Sequence, residues 1–434
     1  MRFKLLPVPV LFALVQANFC CAQQIVITPD KPTGVYRVGD NVHWRLEWTD
    51  GSDAPPAHYQ FLLGGLTDAG QGNLSFSNGV ANLETRFNAP GAILAEVKWK
   101  SGNGKEQRAL AGALAAPDRI ALSAPCPADF DLFWQSKLKE LKAVPANPKL
   151  ESVNIGDTNL EYWKITMDNI RGSHIQGQMA RPARGKKFPA LLIVQWAGVY
   201  PLQRNWVSNR AVEGWLTLNI QAHDLPIDAP ESFYKDQFAG PLKDYWSIGN
   251  DDRQTSYYLR MYLSCYQAAE YLIQREDWDG KTLVVTGTSQ GGMQTLMLAG
   301  LHPAKMTAAL ALVPAGCDML GPDMGRAPGW PQWYNHTEGG KDPKKVHETS
   351  RYYDIANFAS RIKCPVLVGV GLQDETCPPA GVFAAVNQIS SPKEVVILPK
   401  SGHQDDHGTQ SAYNARMAVW LSALQQGQRA PVPH

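Results

Sequence analysis

Long apolar runs are scarce in this chain. Beyond the first two dozen residues, no stretch reaches the ~18 consecutive apolar residues that a membrane-spanning helix needs, so no span is expected. Charge of one sign is equally scarce. Forty-one Lys and Arg face 40 Asp and Glu, a net charge of +1 with no basic tract. Nucleic acid is therefore not an expected partner, and a neutral substrate suits the balance. Cysteine is sparse too, at seven in 434 residues. Cys126, Cys265, Cys317, Cys364 and Cys377 show no CxxC or other metal-type spacing, which excludes a disulfide framework and a structural zinc site. One disulfide or buried free thiols both remain open. There is no internal repeat and no low-complexity tract, so a solenoid is excluded.

What is present is globular in kind: 44% apolar and 19% charged residues, in a length that suits two or three domains. Residues 1–22 read as an export signal. Arg2 and Lys4 open it, residues 5–15 form a short apolar core, and Ala22 supplies the small residue at the cut. A secreted or periplasmic protein is expected. Lipid attachment at Cys20 or Cys21 is the alternative, with Phe19 standing where such sites prefer a small residue.

Residues 23–115 read as all-β. Tyr36-Arg37-Val38 and residues 42–48 alternate apolar and polar. Asn88-Ala89-Pro90-Gly91 makes a turn before a strand at 92–99, and Gly-rich turns recur. This predicts a small β-sandwich, with Trp44, Trp48 and Trp99 packed in its core in preference to forming a sugar platform. The composition changes at Ala115-Ala116-Pro117. Residues 116–434 then alternate helices (130–141, 262–275, 292–301, 379–388) with apolar strands (190–194, 283–286, 366–370, 394–398). Apolar strands between helices predict an α/β unit with a mostly parallel sheet covered on both faces. The polar, Pro-rich tail after residue 425 is expected to fray.

The sharpest signal is Gly287-Thr288-Ser289-Gln290-Gly291, a G-x-S-x-G motif between a strand and a helix. Small residues beside the serine allow a turn tight enough to expose its hydroxyl, and the following helix aims free N–H groups at it. A serine needs a base. In this arrangement the acid and then the histidine follow it in sequence, past strand ends. Asp374 follows strand 366–370 and His403 follows strand 394–398. His407 competes as base, and Glu375 or Asp405 as acid, but His403 sits on the first turn after its strand. An oxyanion hole needs two N–H donors: Gln290 supplies one, and Val199, or Tyr200 beside it, the other. Tyr200 and the aromatics Trp330 and Trp333 are candidate substrate contacts, with lid or interface packing as the alternative for the tryptophans.

Across about 300 residues the chain resembles the acetylxylan esterase and cephalosporin-C deacetylase family. The resemblance rests on residues 127–134 (PADFDLFW), on Tyr257-Tyr258-Leu259-Arg260, on residues 287–292 (GTSQGG), and on residues 353–379 through Asp374. It implies an α/β-hydrolase fold and a Ser289–His403–Asp374 triad. It also implies Val199 and Gln290 at the oxyanion hole, acetylated carbohydrates as substrates, no cofactor, and a homo-oligomer, often a hexamer. Three places differ from the family pattern. Ala197-Gly198-Val199 stands for His-Gly-Tyr, Gln221-Ala222-His223-Asp224 replaces the Arg-Gly-Gln stretch, and His403-Gln404 stands for His-Glu. Two rival readings are a serine peptidase with a β-rich N-terminal domain and a non-catalytic carbohydrate-binding protein on a hydrolase scaffold.

Overall fold

The computed structural model describes residues 24–50 and 53–433. The expected export signal lies outside the described residues. The N-terminal region forms eight strands: β1 (Ile25–Pro29), β2 (Val35–Tyr36), β3 (Asn41–Trp48), β4 (Ala57–Leu63), β5 (Thr67–Leu74), β6 (Val80–Arg86), β7 (Gly91–Lys100) and β8 (Glu106–Ala115). They make a three-stranded sheet, β1-β3-β6, and a five-stranded one, β2-β8-β7-β4-β5. Strict alternation in β3 turns Val42, Trp44, Leu46 and Trp48 inward. Their side chains meet Phe61, Val97 and Trp99 from the other sheet, so all three tryptophans are core residues. β2 is shorter than the alternation suggested, because the chain turns at Gly39 after Tyr36.

β7 does not alternate, being buried continuously from Gly91 to Val97. Ile93, Ala95 and Val97 face the sandwich, whereas Ala92 joins the core of the following unit. The sheet therefore buries both faces. Gly112 on β8 lies flat against the next unit, where a Cβ would stand 2.0 Å from the Leu372 carbonyl oxygen.

That unit is built on nine strands: β9 (Lys149–Ser152), β10 (Leu160–Asp168), β11 (His174–Pro182), β12 (Phe188–Ile193), β13 (Leu216–Ile220), β14 (Trp278–Thr288), β15 (Ala308–Leu312), β16 (Val366–Gly371) and β17 (Lys393–Leu398). Their order is β17-β16-β15-β14-β12-β13-β11-β10-β9. The six strands from β17 to β13 pair in parallel, and β11, β10 and β9 extend the edge antiparallel. The helices are α1 (Phe130–Lys142), α2 (Asn205–Val212), α3 (Glu231–Ala239), α4 (Tyr257–Gln274), α5 (Gln290–Leu301), α6 (Pro343–Tyr353), α7 (Ile355–Ala359), α8 (Pro379–Val386) and α9 (Ser411–Gln425).

Apolar strands bury side chains on both faces. Leu192, Val285 and Val368 meet α4, α5 and α7, while Leu191, Val284 and Leu367 meet Trp420, Leu421 and Leu424 of α9. α4 begins five residues before the apolar period becomes visible, because Ser256 caps it by accepting from the Tyr258 N–H. The tail past α9 does not fray as expected. Ala430 and Val432 pack on the α9 side of the sheet, and Arg416 donates to the Pro431 carbonyl. The five cysteines from Cys126 onward are free thiols, all but Cys126 buried.

Candidate active site

Ser289 stands at the corner between β14 and α5, with φ 57° and ψ −118°. A non-glycine residue in that region costs on the order of 1–3 kcal/mol and persists only if its neighbours fix it. They do so here. The Ser289 N–H donates to Leu312 O at 2.9 Å, and Ser289 O accepts from Met293 and Ala315 at 2.9 and 3.1 Å. The corner closes only on glycine. A Cβ at Gly287 would meet the Gly291 carbonyl carbon at 2.5 Å, and one at Gly291 would meet Val194 O at 2.6 Å. The end of β12 thus abuts the serine turn.

Two further strand ends deliver the partners. Asp374 follows β16 with its carboxylate fully buried. Its Oδ1 accepts from the Thr376 and Cys377 N–H groups at 2.9 and 2.7 Å. Its Oδ2 lies 2.8 Å from His403 Nδ1. His403 follows β17, and its Nε2 lies 2.8 Å from Ser289 Oγ. A carboxylate only accepts, so Nδ1 carries the proton and Nε2 is free to accept from the serine hydroxyl. The rivals lie elsewhere. Glu375 pairs with Arg108, Asp405 accepts the Gln410 N–H at 2.9 Å, and His407 is exposed.

The loop after β12 lies against this corner. Gln290 Nε2 reaches the carbonyls of Gln195 and Trp196, both at 3.5 Å. The Tyr245 hydroxyl donates to Gln290 Oε1 at 2.7 Å and accepts from the Gly198 N–H at 3.1 Å. Among the described residues, nothing accepts from the N–H of Val199 or of Gln290. Tyr200 donates to Trp196 O at 2.9 Å and stacks on Trp196, a residue 42% exposed. Trp330 is half-buried between Trp246 and Tyr258. Its backbone N–H donates to Thr376 O at 2.7 Å, in the turn that holds Asp374.

Trp333 corrects one expectation. It is 1% exposed, its ring packs on Tyr258 and Tyr353, and its Nε1 donates to Trp246 O. A ring enclosed on every side cannot stack on a substrate, so its role is packing. The sequence reading missed His223, Tyr245, Tyr257 and the exposed Trp196. Three polar residues among the four that leave an apolar strand, Gln221 to Asp224, were the signal available for His223.

His403 also borders a cleft of about 820 Å³. β1 and the Arg108–Ala111 part of β8 form its opposite wall, so the N-terminal region reaches the edge of the site. One cluster with metal-type ligand atoms exists among the described residues: Asp374, Cys377 and His403, with those atoms within 4.8 Å of one another. Two of its three members are already engaged in the hydrogen bonds above, and burial pushes the Cys377 thiol well up, against the thiolate a metal needs.

A mostly parallel sheet with a serine at a strand–helix corner, and its acid and histidine past later strand ends, defines an α/β-hydrolase. The comparisons agree. The profile of the acetyl xylan esterase (AXE1) family matches residues 121–424, and the chain belongs to that family. Acetyl esterase Axe7A of Xylanibacter ruminicola is 34% identical over 299 residues, covering 68% of this chain and 66% of that protein. The chain thus matches just under two thirds of that relative's length. Among solved structures, acetyl xylan esterase 1 from Thermoanaerobacterium sp. JW/SL YS485 superposes with a TM-score of 0.61 at 23% identity, over 71% of this chain and 97% of its own. Acetyl xylan esterase from Paenibacillus sp. R4 gives 0.61 at 25% identity, over 71% and 98%.

Proposed function

We propose that this protein is a serine esterase that removes acetyl groups from acetylated xylan, xylo-oligosaccharides or related carbohydrates. The observation that carries the reading is the continuous path Ser289 Oγ–His403–Asp374, with both contacts at 2.8 Å. Family membership and the names of the relatives supply the acyl group and the class of alcohol.

In this reading His403 takes the Ser289 proton as the oxygen attacks the acetyl carbonyl. Asp374 steadies the imidazolium, and the Val199 and Gln290 N–H groups receive the oxyanion. His403 then protonates the departing sugar oxygen. A water, deprotonated by His403, attacks the acetyl-serine and releases acetate. Trp196 and Tyr200, in the same loop as Val199, offer an aromatic face to the sugar. The sequence of residues 1–22 supports export, and among the described residues no helix is long and apolar enough to cross a membrane. Residues 23–115 form a separate β-domain in this reading, and 116–434 the catalytic one.

The test is acetate release from acetylated xylo-oligosaccharides and from a panel of other acetylated sugars. Ser289→Ala lowers turnover roughly 10⁴–10⁶-fold with the fold retained. A loss under about tenfold refutes the assignment.

A further inference from the structure

The Gly198–Val199 peptide uses its two polar ends differently. Its oxygen, Gly198 O, accepts from His223 Nε2 at 2.9 Å. Its N–H, on Val199, has no acceptor among the described residues. In a planar trans peptide the C=O and N–H point in opposite directions, so holding one end aims the other. We propose that His223 is a positioning residue for the esterase reaction: it grips the Gly198 carbonyl and thereby aims the Val199 N–H at the oxyanion. This rests on the reading of Ser289 as nucleophile and Val199 as oxyanion donor.

The chemistry around His223 leaves one consistent arrangement. A carbonyl oxygen only accepts, so Nε2 carries the hydrogen. Burial holds the imidazole neutral, with its pKa lowered to about 4, so Nδ1 is a bare acceptor. Facing it at 2.6 Å is the Tyr257 hydroxyl, which donates. The Tyr257 oxygen in turn accepts from the Arg260 guanidinium. A chain of three side chains therefore runs from α4 to one carbonyl of the oxyanion loop, and its ring member is only 2% exposed.

The rest of the loop is held as tightly. The Gly198 N–H donates to Tyr245, and Tyr200 O accepts from Gln221 Nε2 at 2.5 Å. Gly198 has φ 124°, a conformation glycine tolerates. The groups on either side of Val199 are pinned, while its own N–H is left unpaired. A hydrogen bond to the carbonyl also polarises the peptide and makes its N–H a better donor.

The measurement uses the full-length protein and three variants. His223→Leu removes the donor, His223→Gln supplies an amide N–H in its place, and Tyr257→Phe releases Nδ1. Each is titrated with a fluorophosphonate so that rates refer to reactive serines only. kcat and KM are then measured for 4-nitrophenyl acetate, and Ki for trifluoroacetophenone, whose tetrahedral adduct places an oxyanion in the hole. Losing one oxyanion donor outright costs about 10²–10³ in kcat, so misaiming one costs less. The expectation for His223→Leu is a kcat lower by roughly 10–100-fold per titrated site, with KM within about twofold and Ki raised by about the same factor as kcat falls. His223→Gln recovers most of the loss, and Tyr257→Phe shows a smaller loss with the same pattern. A residue that only fills the core changes the titrated fraction and Tm but neither per-site quantity. Per-site kcat and Ki within twofold of wild type in His223→Leu overturn the proposal, as does a kcat loss with unchanged Ki. If that variant does not fold, the same two results in Tyr257→Phe decide. Wild-type protein that neither titrates nor turns over refutes the serine reading itself, and the proposal with it.

Discussion

Asp374 gives one oxygen to two backbone N–H groups and the other to His403, so its carboxylate is fixed before any substrate arrives. Asp374→Asn keeps the shape but offers an amide where the imidazole needs an acceptor. It should lower kcat by about 10⁴-fold through the wrong tautomer, as measured by acetate release. Glu375→Gln, one residue along and half exposed, should leave kcat within about twofold. That Ser289, His403 and Asp374 lie within hydrogen-bond reach of one another was legible because each follows a strand end in the expected order. The distinction between His403 and His407 also followed from chain position. Trp333 was not legible, since a Trp-rich loop has the same sequence whether it faces a sugar or Tyr258. His223 gives a stability prediction as well. Its folded pKa of about 4 lies below the unfolded value near 6.5, so between those values the unfolded chain binds more protons. Stability should therefore fall as pH drops from ~6.5 toward ~4, by on the order of 3 kcal/mol from this ring, and then level off. Tyr257 and Tyr245 pack against it, and burial raises both hydroxyls above the usual tyrosine value, so neither titrates in that range. A shallower acid limb of the unfolding curve in His223→Gln is the check, and an unchanged limb contradicts it.

The corner between β14 and α5 was readable from its glycines, because only so small a residue permits the approach of β12. Gly291→Ala sets a methyl 2.6 Å from Val194 O, a backbone atom that cannot swing aside. A loss of about 1–3 kcal/mol in unfolding free energy, with a lower kcat, is the expected outcome. The loop after β12 was located by sequence but not its mode of attachment, which depends on Tyr245, on Gln221 and His223 just past β13, and on Gln290 of α5, which only the fold gathers. Trp196 on that loop makes a separate prediction. Trp196→Ala should raise KM for acetylated xylo-oligosaccharides several-fold and leave 4-nitrophenyl acetate within twofold, because only the sugar loses a stacking face. Equal effects on both substrates would assign Trp196 to packing.

The docking of the N-terminal sheets brings a second unit to the edge of the reactive centre. Sequence alternation made the sandwich readable, but the continuous burial of β7 was not: one face serves the sandwich, the other the hydrolase. At Gly112 the chain lies so close to the Leu372 backbone that a side chain has no room, whereas the Arg108–Glu375 pair is half exposed. Arg108→Ala should therefore shift stability by no more than about 1 kcal/mol. Gly112→Ala should cost more and also lower kcat, since it pushes on Leu372, two residues before Asp374. Thermal unfolding and acetate release on the two variants compare these directly. The central claim, that one serine carries the acyl group, is tested by rapid quenching of the wild-type enzyme with 4-nitrophenyl acetate followed by peptide mass mapping. The account predicts an acetyl group on Ser289 that is absent in Ser289→Ala and fails to accumulate in His403→Ala. Full turnover with Ser289 never acetylated would contradict it.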